Sequence, residues 1–218
     1  MESLRAFGRF LLDVLLPVQA RERRLRALTT DDLAQKMLPQ DAASGREIMF
    51  LFNYRDALVR DALLALKFND NHRMAALFAE ALNDFLLEAL GDRALFSNDT
   101  AVLLIPIPLS AKRLRERGYN QSELVARELA ELSGGAFELA PEALYRTRHT
   151  APQSSIGSKA KRAQNVRGAF RVPLPERVSG RAVMVLDDIT TSGSTLREAR
   201  SALRAAGAKS VWCIAIAH

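Results

Sequence analysis

A single cysteine in 218 residues excludes an internal disulfide and any zinc site built from several cysteines. That thiol, Cys213, lies in the apolar run Val211–Ile216 and is expected to be buried and inert. Aromatic residues make up only 6% of the chain, so no base-stacking platform for nucleic acid is evident. Neither GxxxxGKS/T nor GxGxxG occurs, which disfavours P-loop and dinucleotide chemistry. No stretch reaches the ~18 consecutive apolar residues of a membrane span. Asp13 interrupts the apolar run Phe10–Leu16, and mixed charge precedes it. An amphipathic helix is therefore expected there rather than a signal peptide, and the protein is expected to be cytoplasmic.

What is present is ordinary for a globular α/β protein: 48% hydrophobic and 26% charged residues. The net charge of +6 favours anionic partners, from pyrophosphate to nucleic acid. Its basic residues are spread over Arg21–Arg26, Lys112–Arg117 and Lys159–Arg171, as on a solvated surface. Residues 1–48 read as a charged helical extension and 49–218 as one domain. In the domain, short apolar runs at Phe50–Tyr54, Ala101–Ile105, Phe170–Val172, up to Asp187 and at Val211–Ala217 suggest strands. Helical patterns at Arg60–Phe68, His72–Leu90, Asn120–Leu132 and Leu196–Ala206 lie between them. This alternation predicts a mainly parallel sheet flanked by helices.

The most informative stretch is Met184–Thr195. An apolar run ends in Asp187 and Asp188, and Thr190, Thr191, Ser192, Gly193, Ser194 and Thr195 follow before a helical pattern. Backbone N–H groups, small hydroxyls and a helix N-terminus together suit a phosphate. Two carboxylates at the end of a parallel strand can accept hydrogen bonds from vicinal hydroxyls. They can also hold a divalent cation, directly or through water. Order and spacing resemble the phosphoribosyl-pyrophosphate (PRPP) signature of type I phosphoribosyltransferases.

Two further segments carry charge. Pro106–Gln121 leaves a strand through two prolines into a cationic loop, then a helix opened by Asn120. Several cations there suit a pyrophosphate, although such a turn alone reads as solvated surface. Arg146–Phe170 is basic and, from Gln153 to Gln164, poor in apolar anchors, as expected of a mobile loop. His149 lies in it without an evident partner for acid–base work, so positioning or exposure is its expected role.

Arg117-Gly118-Tyr119-Asn120-Gln121-Ser122-Glu123-Leu124, Thr150-Ala151-Pro152-Gln153, Arg162–Phe170, Val185–Thr195 and Leu66-Lys67-Phe68 together resemble blocks of the ComF/GntX family of phosphoribosyltransferase-like proteins. The resemblance covers roughly residues 50–218. It implies a type I phosphoribosyltransferase fold, with Asp187 and Asp188 as catalytic acids on the ribose hydroxyls of PRPP. Residues 190–195 would hold the 5-phosphate. Lys112, Arg113, Arg117, Asn120 and Gln121 would lie on the pyrophosphate side, and Gln153, Arg162 and Asn165 on a flexible loop. Mg²⁺ would sit near Asp187 and Asp188, directly or through ribose hydroxyls and water. The implied partners are PRPP and an acceptor of unknown identity, with single-stranded DNA or competence machinery and a homodimer as further candidates. A non-enzymatic PRPP or nucleotide sensor assisting DNA uptake is the alternative. Many family members begin with a cysteine zinc ribbon, whereas residues 1–48 here carry a helical, charged segment and no cysteine.

Overall fold

Strands β1 (Met49–Phe52), β7 (Ser210–Ala217), β6 (Ala182–Ile189), β2 (Val102–Pro106) and β3 (Phe137–Leu139) pair in that order. All four pairings are parallel. They are seen in a computed structural model that describes residues 21–38, 48–68, 72–90, 101–147 and 168–218. β2 is buried at all five positions, as a strand covered on both faces must be. Along β6, Met184 and Leu186 enter one core while Val183 and Val185 enter the other. That alternation follows from the twofold period of a strand.

The first core is closed by α2 (Ala57–Phe68), α3 (His72–Leu90) and α5 (Gln121–Leu132), through Leu63, Leu66, Phe78, Leu82, Val125 and Leu129. Each fully buried Leu or Phe contributes roughly 1.5–3 kcal/mol. The second core is closed by α7 (Ser194–Ala205), through Leu196, Ala199 and Leu203. Cys213 lies in this second core, 1% exposed. A small hairpin, β4 (Tyr145–Arg146) against β5 (Phe170–Arg171), adds Phe170 to it.

The N-terminal segment is joined to the first core. α1 (Thr30–Ala34) starts in a capping box between Thr29 and Asp32, and both Leu28 and Leu33 are buried. From the start of α3, Arg73 donates to the Leu25 and Leu28 carbonyls, and Thr30 donates to Glu80.

Two sequence expectations change. Lys112–Arg117 is helix α4 (Ala111–Arg117), not a loop. Ser110 caps it by accepting from the Arg113 N–H, and Gly118, at φ 82°, closes it with an N–H bond to Leu114. β3, the β4 arm of the hairpin and a short helix α6 (Pro175–Val178) were not foreseen. Segments of two to four residues are too short to show a period.

The sheet order places a switch point between β2 and β6. After β2 the chain reaches α5 on the first face; after β6 it reaches α7 on the second. The connections diverge and leave a crevice at the carboxyl ends of these strands, the usual ligand position in an open α/β sheet.

Candidate functional site

Asp187 and Asp188 lie at that crevice, near the end of β6, with their carboxyls within hydrogen-bonding reach of one another. Asp188 follows Leu186 towards α2 and α5. Its Oδ2 accepts from the Lys67 ammonium at 3.0 Å and from the Gln121 amide at 3.0 Å, while Oδ1 accepts from the Ile189 N–H at 2.8 Å. Asp187 Oδ1 accepts from the Asp188 N–H at 2.9 Å.

The two carboxyls differ electrostatically. Burial opposes charge on Asp188, but Lys67 and Gln121 outweigh it and hold the carboxyl below its ordinary pKa. Burial, then the adjacent Asp188 charge, pushes Asp187 well above the ordinary range; the Asp188 N–H and Lys67 offset this only in part. The Asp188 carboxyl therefore gives up its proton more readily than the Asp187 carboxyl.

On the other side of Asp187 stands Arg146 of β4, its guanidinium 5.5 Å from the centre of the Phe170 ring. Burial and then the charge of Arg113 weaken its hold on its proton, while Asp187 strengthens it. The guanidinium stays charged all the same. Two arginines thus lie close enough to feel one another's charge near one acid, an arrangement that an incoming polyanion would relieve.

Around the entrance the backbone is tied down. The Ile107 N–H bonds the Leu186 carbonyl at 2.8 Å, extending the β2–β6 ladder past Pro106. Asn120 Nδ2 donates to the Ile107 carbonyl at 3.0 Å, while its Oδ1 accepts from the Ser122 N–H at 3.2 Å. The Tyr119 hydroxyl donates to the Leu66 carbonyl at 2.9 Å, joining the start of α5 to the end of α2 beside Lys67.

The loop after β6 is equally restrained. Thr190 and Ser194 are buried, and the Thr190 N–H donates to the Ala217 carbonyl. The Ser192 and Ser194 hydroxyls are 3.0 Å apart, and Arg197 donates to the Ser192 carbonyl. Gly193 has φ 70°, and a Cβ there would stand 2.4 Å from Ile48 Cδ1. The positive φ favours glycine, and a side chain there would push the end of Ile48 aside. The N-cap of α7 is Gly193, which has no side chain to cap it, and the first turn opens on this loop.

The structure therefore brings together Asp187, Asp188, Gln121 and Arg113, with residues 190–195 directly after the acids. Gln121 contacts Asp188. Asn120 is committed to capping α5 and holding Ile107. Lys112 is exposed and pairs with Glu116 at 3.9 Å along α4, and Arg117 is half-buried in the last turn of that helix. Gln153, Arg162, Asn165 and His149 lie outside the described residues. Their flanks are fixed: the Thr147 N–H bonds the Ala169 carbonyl at 2.9 Å, and the Gly168 N–H bonds Glu198 at 2.5 Å. Lys67 and Arg146 were not singled out as site residues from the sequence. A lysine ending the apolar stripe of α2 was the available signal for the first. Arg146 was one cation in a basic stretch.

A direct magnesium site at the acids does not fit. Asp188 Oδ2 already takes two donors, Asp188 Oδ1 and Asp187 Oδ1 take one each, and an ammonium touches the pair. Among the described residues no group of three or more His, Cys, Asp or Glu side chains is placed to hold a metal.

Comparison with known proteins agrees with this geometry. The family model for the phosphoribosyl transferase domain matches residues 116–218. With the parallel sheet and the acid pair at its switch point, this defines the class: a type I phosphoribosyltransferase fold. The DNA utilization protein YhgH of Escherichia coli O157:H7 is 34% identical over 151 residues, 68% of this chain and 63% of that protein. Competence protein F of Haemophilus influenzae is 33% identical over 115 residues, 51% of this chain and 49% of the relative. Competence protein ComFC of Bacillus subtilis is 25% identical over 193 residues, 87% of this chain and 71% of the relative. The domain match and these relatives together support a ComF-family protein, and the chain spans less than two thirds of the length of the first two of these relatives. Among the described residues no helix is long and apolar enough to cross a membrane.

Proposed function

We propose that the protein binds PRPP at the carboxyl edge of the sheet and transfers its phosphoribosyl group to an acceptor. The observation that carries this reading is the acid pair, followed directly by the loop 190–195 and lying within the fields of Arg146 and Arg113. The acids accept hydrogen bonds from the vicinal ribose hydroxyls. The loop and the first turn of α7 hold the 5-phosphate. Arg113 and Arg146 face the pyrophosphate. In the transfer, the bond from the anomeric carbon to the pyrophosphate oxygen breaks, and its electron pair leaves with the pyrophosphate. The acceptor's lone pair forms the new bond at that carbon, and the acceptor's proton passes to water. Fixed cations that meet the leaving charge lower the barrier without reorganising, and holding both reactants in line adds to the rate. Mg²⁺ belongs to this proposal as a counter-ion on the pyrophosphate. The names of the relatives support a place for the reaction in DNA utilisation or competence.

Calorimetry with PRPP and Mg²⁺ tests the site. Binding is expected in the wild type and is expected to be lost in the Asp187→Ala/Asp188→Ala variant; an unbound wild type would sink the reading. Pyrophosphate release with a panel of bases and amines then tests transfer. Binding without any release would leave a sensor of PRPP in its place.

A further inference from the structure

We infer that Lys67 takes the place of a divalent cation at the acid pair, so that the ribose 5-phosphate half of the ligand binds without metal. This rests on the PRPP reading above but concerns which groups hold the sugar.

The argument begins with occupancy. Asp188 Oδ2 accepts from both Lys67 and Gln121 at 3.0 Å, so both its lone-pair directions are used. Oδ1 is held by the Ile189 N–H, and Asp187 Oδ1 by the Asp188 N–H. Mg²⁺ demands near-octahedral oxygen ligands at about 2.0–2.1 Å. It would have to displace these donors and lie against an ammonium of like charge.

The same cluster suits a vicinal diol. Lys67 is largely buried, its side chain 17% exposed, and an ammonium has three protons, of which Asp188 uses one. Gln121 is 3% exposed, and its Oε1 has no hydrogen-bond partner among the described residues. A buried orphan acceptor is rare enough to require an explanation. Beside it stands an ionised acceptor, Asp188, and a charged donor, Lys67. One sugar hydroxyl can donate to the carboxylate while accepting from the ammonium, and its neighbour can donate to Gln121 Oε1. All these groups are present before any metal arrives. α2 supplies the cation from a position fixed by the Tyr119–Leu66 bond.

The test titrates ribose 5-phosphate into the full chain by calorimetry, in EDTA and in Mg²⁺. The wild type is expected to bind equally in both. Lys67→Met is expected to bind about tenfold more weakly in EDTA, the worth of one hydrogen bond to a charged group, and to recover in part with Mg²⁺. Lys67→Arg is expected to retain metal-independent binding. Lys67→Gln, which keeps a donor and loses the charge, serves if circular dichroism shows the Met variant unfolded. Wild-type ribose 5-phosphate binding that appears only with Mg²⁺ overturns the inference and leaves the PRPP reading standing. Unchanged affinity of the uncharged variant in EDTA does the same. Failure of the wild type to bind either ribose 5-phosphate or PRPP sinks both.

Discussion

The two ends of the sheet handle charge in opposite ways. Near its amino edge, Arg181 donates to Glu138 at 2.8 Å and to the Ala101 carbonyl at 2.8 Å, and Arg177 bonds Glu138 and Glu142. Opposite charges are matched, and the Arg181 hydrogen bond, working against burial, holds the Glu138 carboxyl below its ordinary pKa. At the carboxyl edge Asp187 stands beside Asp188, and Arg113 beside Arg146. The first arrangement serves the fold. In the second only the Lys67–Asp188 pair does, while Asp187 beside Asp188, and Arg113 beside Arg146, set like charges together at a cost in free energy.

Removing a charge should therefore have opposite consequences at the two ends. The largest effect is expected from Asp188→Asn, which breaks the Lys67 pair and leaves that ammonium buried without its counter-charge. PRPP binding is expected to fall by about tenfold or more in calorimetry, the worth of a hydrogen bond to a charged group, and stability by about 3–5 kcal/mol as the buried pair loses a partner. Unaltered affinity would show that the carboxyl edge is only another structural ion-pair cluster.

Gly193→Ala should damage the same edge through shape alone. The positive φ and the Ile48 contact together are expected to cost about 1–3 kcal/mol of stability. Phosphate-ligand affinity should fall with it, read by thermal melting and by titration with ribose 5-phosphate.

Asp187→Asn separates the two ends most sharply. An acid whose folded pKa lies above its unfolded value destabilises the fold at neutral pH; that penalty starts to shrink as pH falls below the folded pKa and is gone below the unfolded one. The variant is therefore expected to melt about 2–4 °C higher than the wild type at pH 7 while losing PRPP affinity. The gain should shrink towards acid pH. A lower melting temperature at pH 7 would reverse the comparison.

The smallest effect belongs to the amino edge. Glu138→Gln is expected to lower stability by about 0.2–1 kcal/mol, since these ion pairs are partly exposed, with no change in ligand binding. The folded carboxyl titrates below its unfolded value, so the loss should be complete above the ordinary carboxylate pKa and fade as pH falls through the folded one. A urea melt at pH 7 and pH 3 checks both the size and the sign.

The legible parts of the site are those held in contiguous chain. A strand, two acids, a glycine-containing loop and a helix follow one another from Ala182 to Ala205, so local pattern alone exposed them. The parallel sheet was equally plain, because alternating apolar runs and amphipathic helices leave few ways to bury both faces. The roles of Asn120 and Gln121 were not legible. They are adjacent in sequence, yet one turns back to the Ile107 carbonyl and the other reaches Asp188, 67 positions away. Helix α4 was hidden for another reason: a run of cations has no apolar stripe to signal its period, and only the Ser110 cap and Gly118 stop mark its ends.

By itself, the sequence determined the order of elements, the acid pair and the hydroxyl-rich loop 190–195, since these depend on neighbours along the chain. Only the tertiary structure decided that Lys67, from a helix before β2, is the counter-ion of Asp188, and that Arg146 stands across from Asp187. Such partners are chosen by where α2, α5 and the β4–β5 hairpin pack against β6. That packing depends on two separate cores assembling over opposite faces of one sheet.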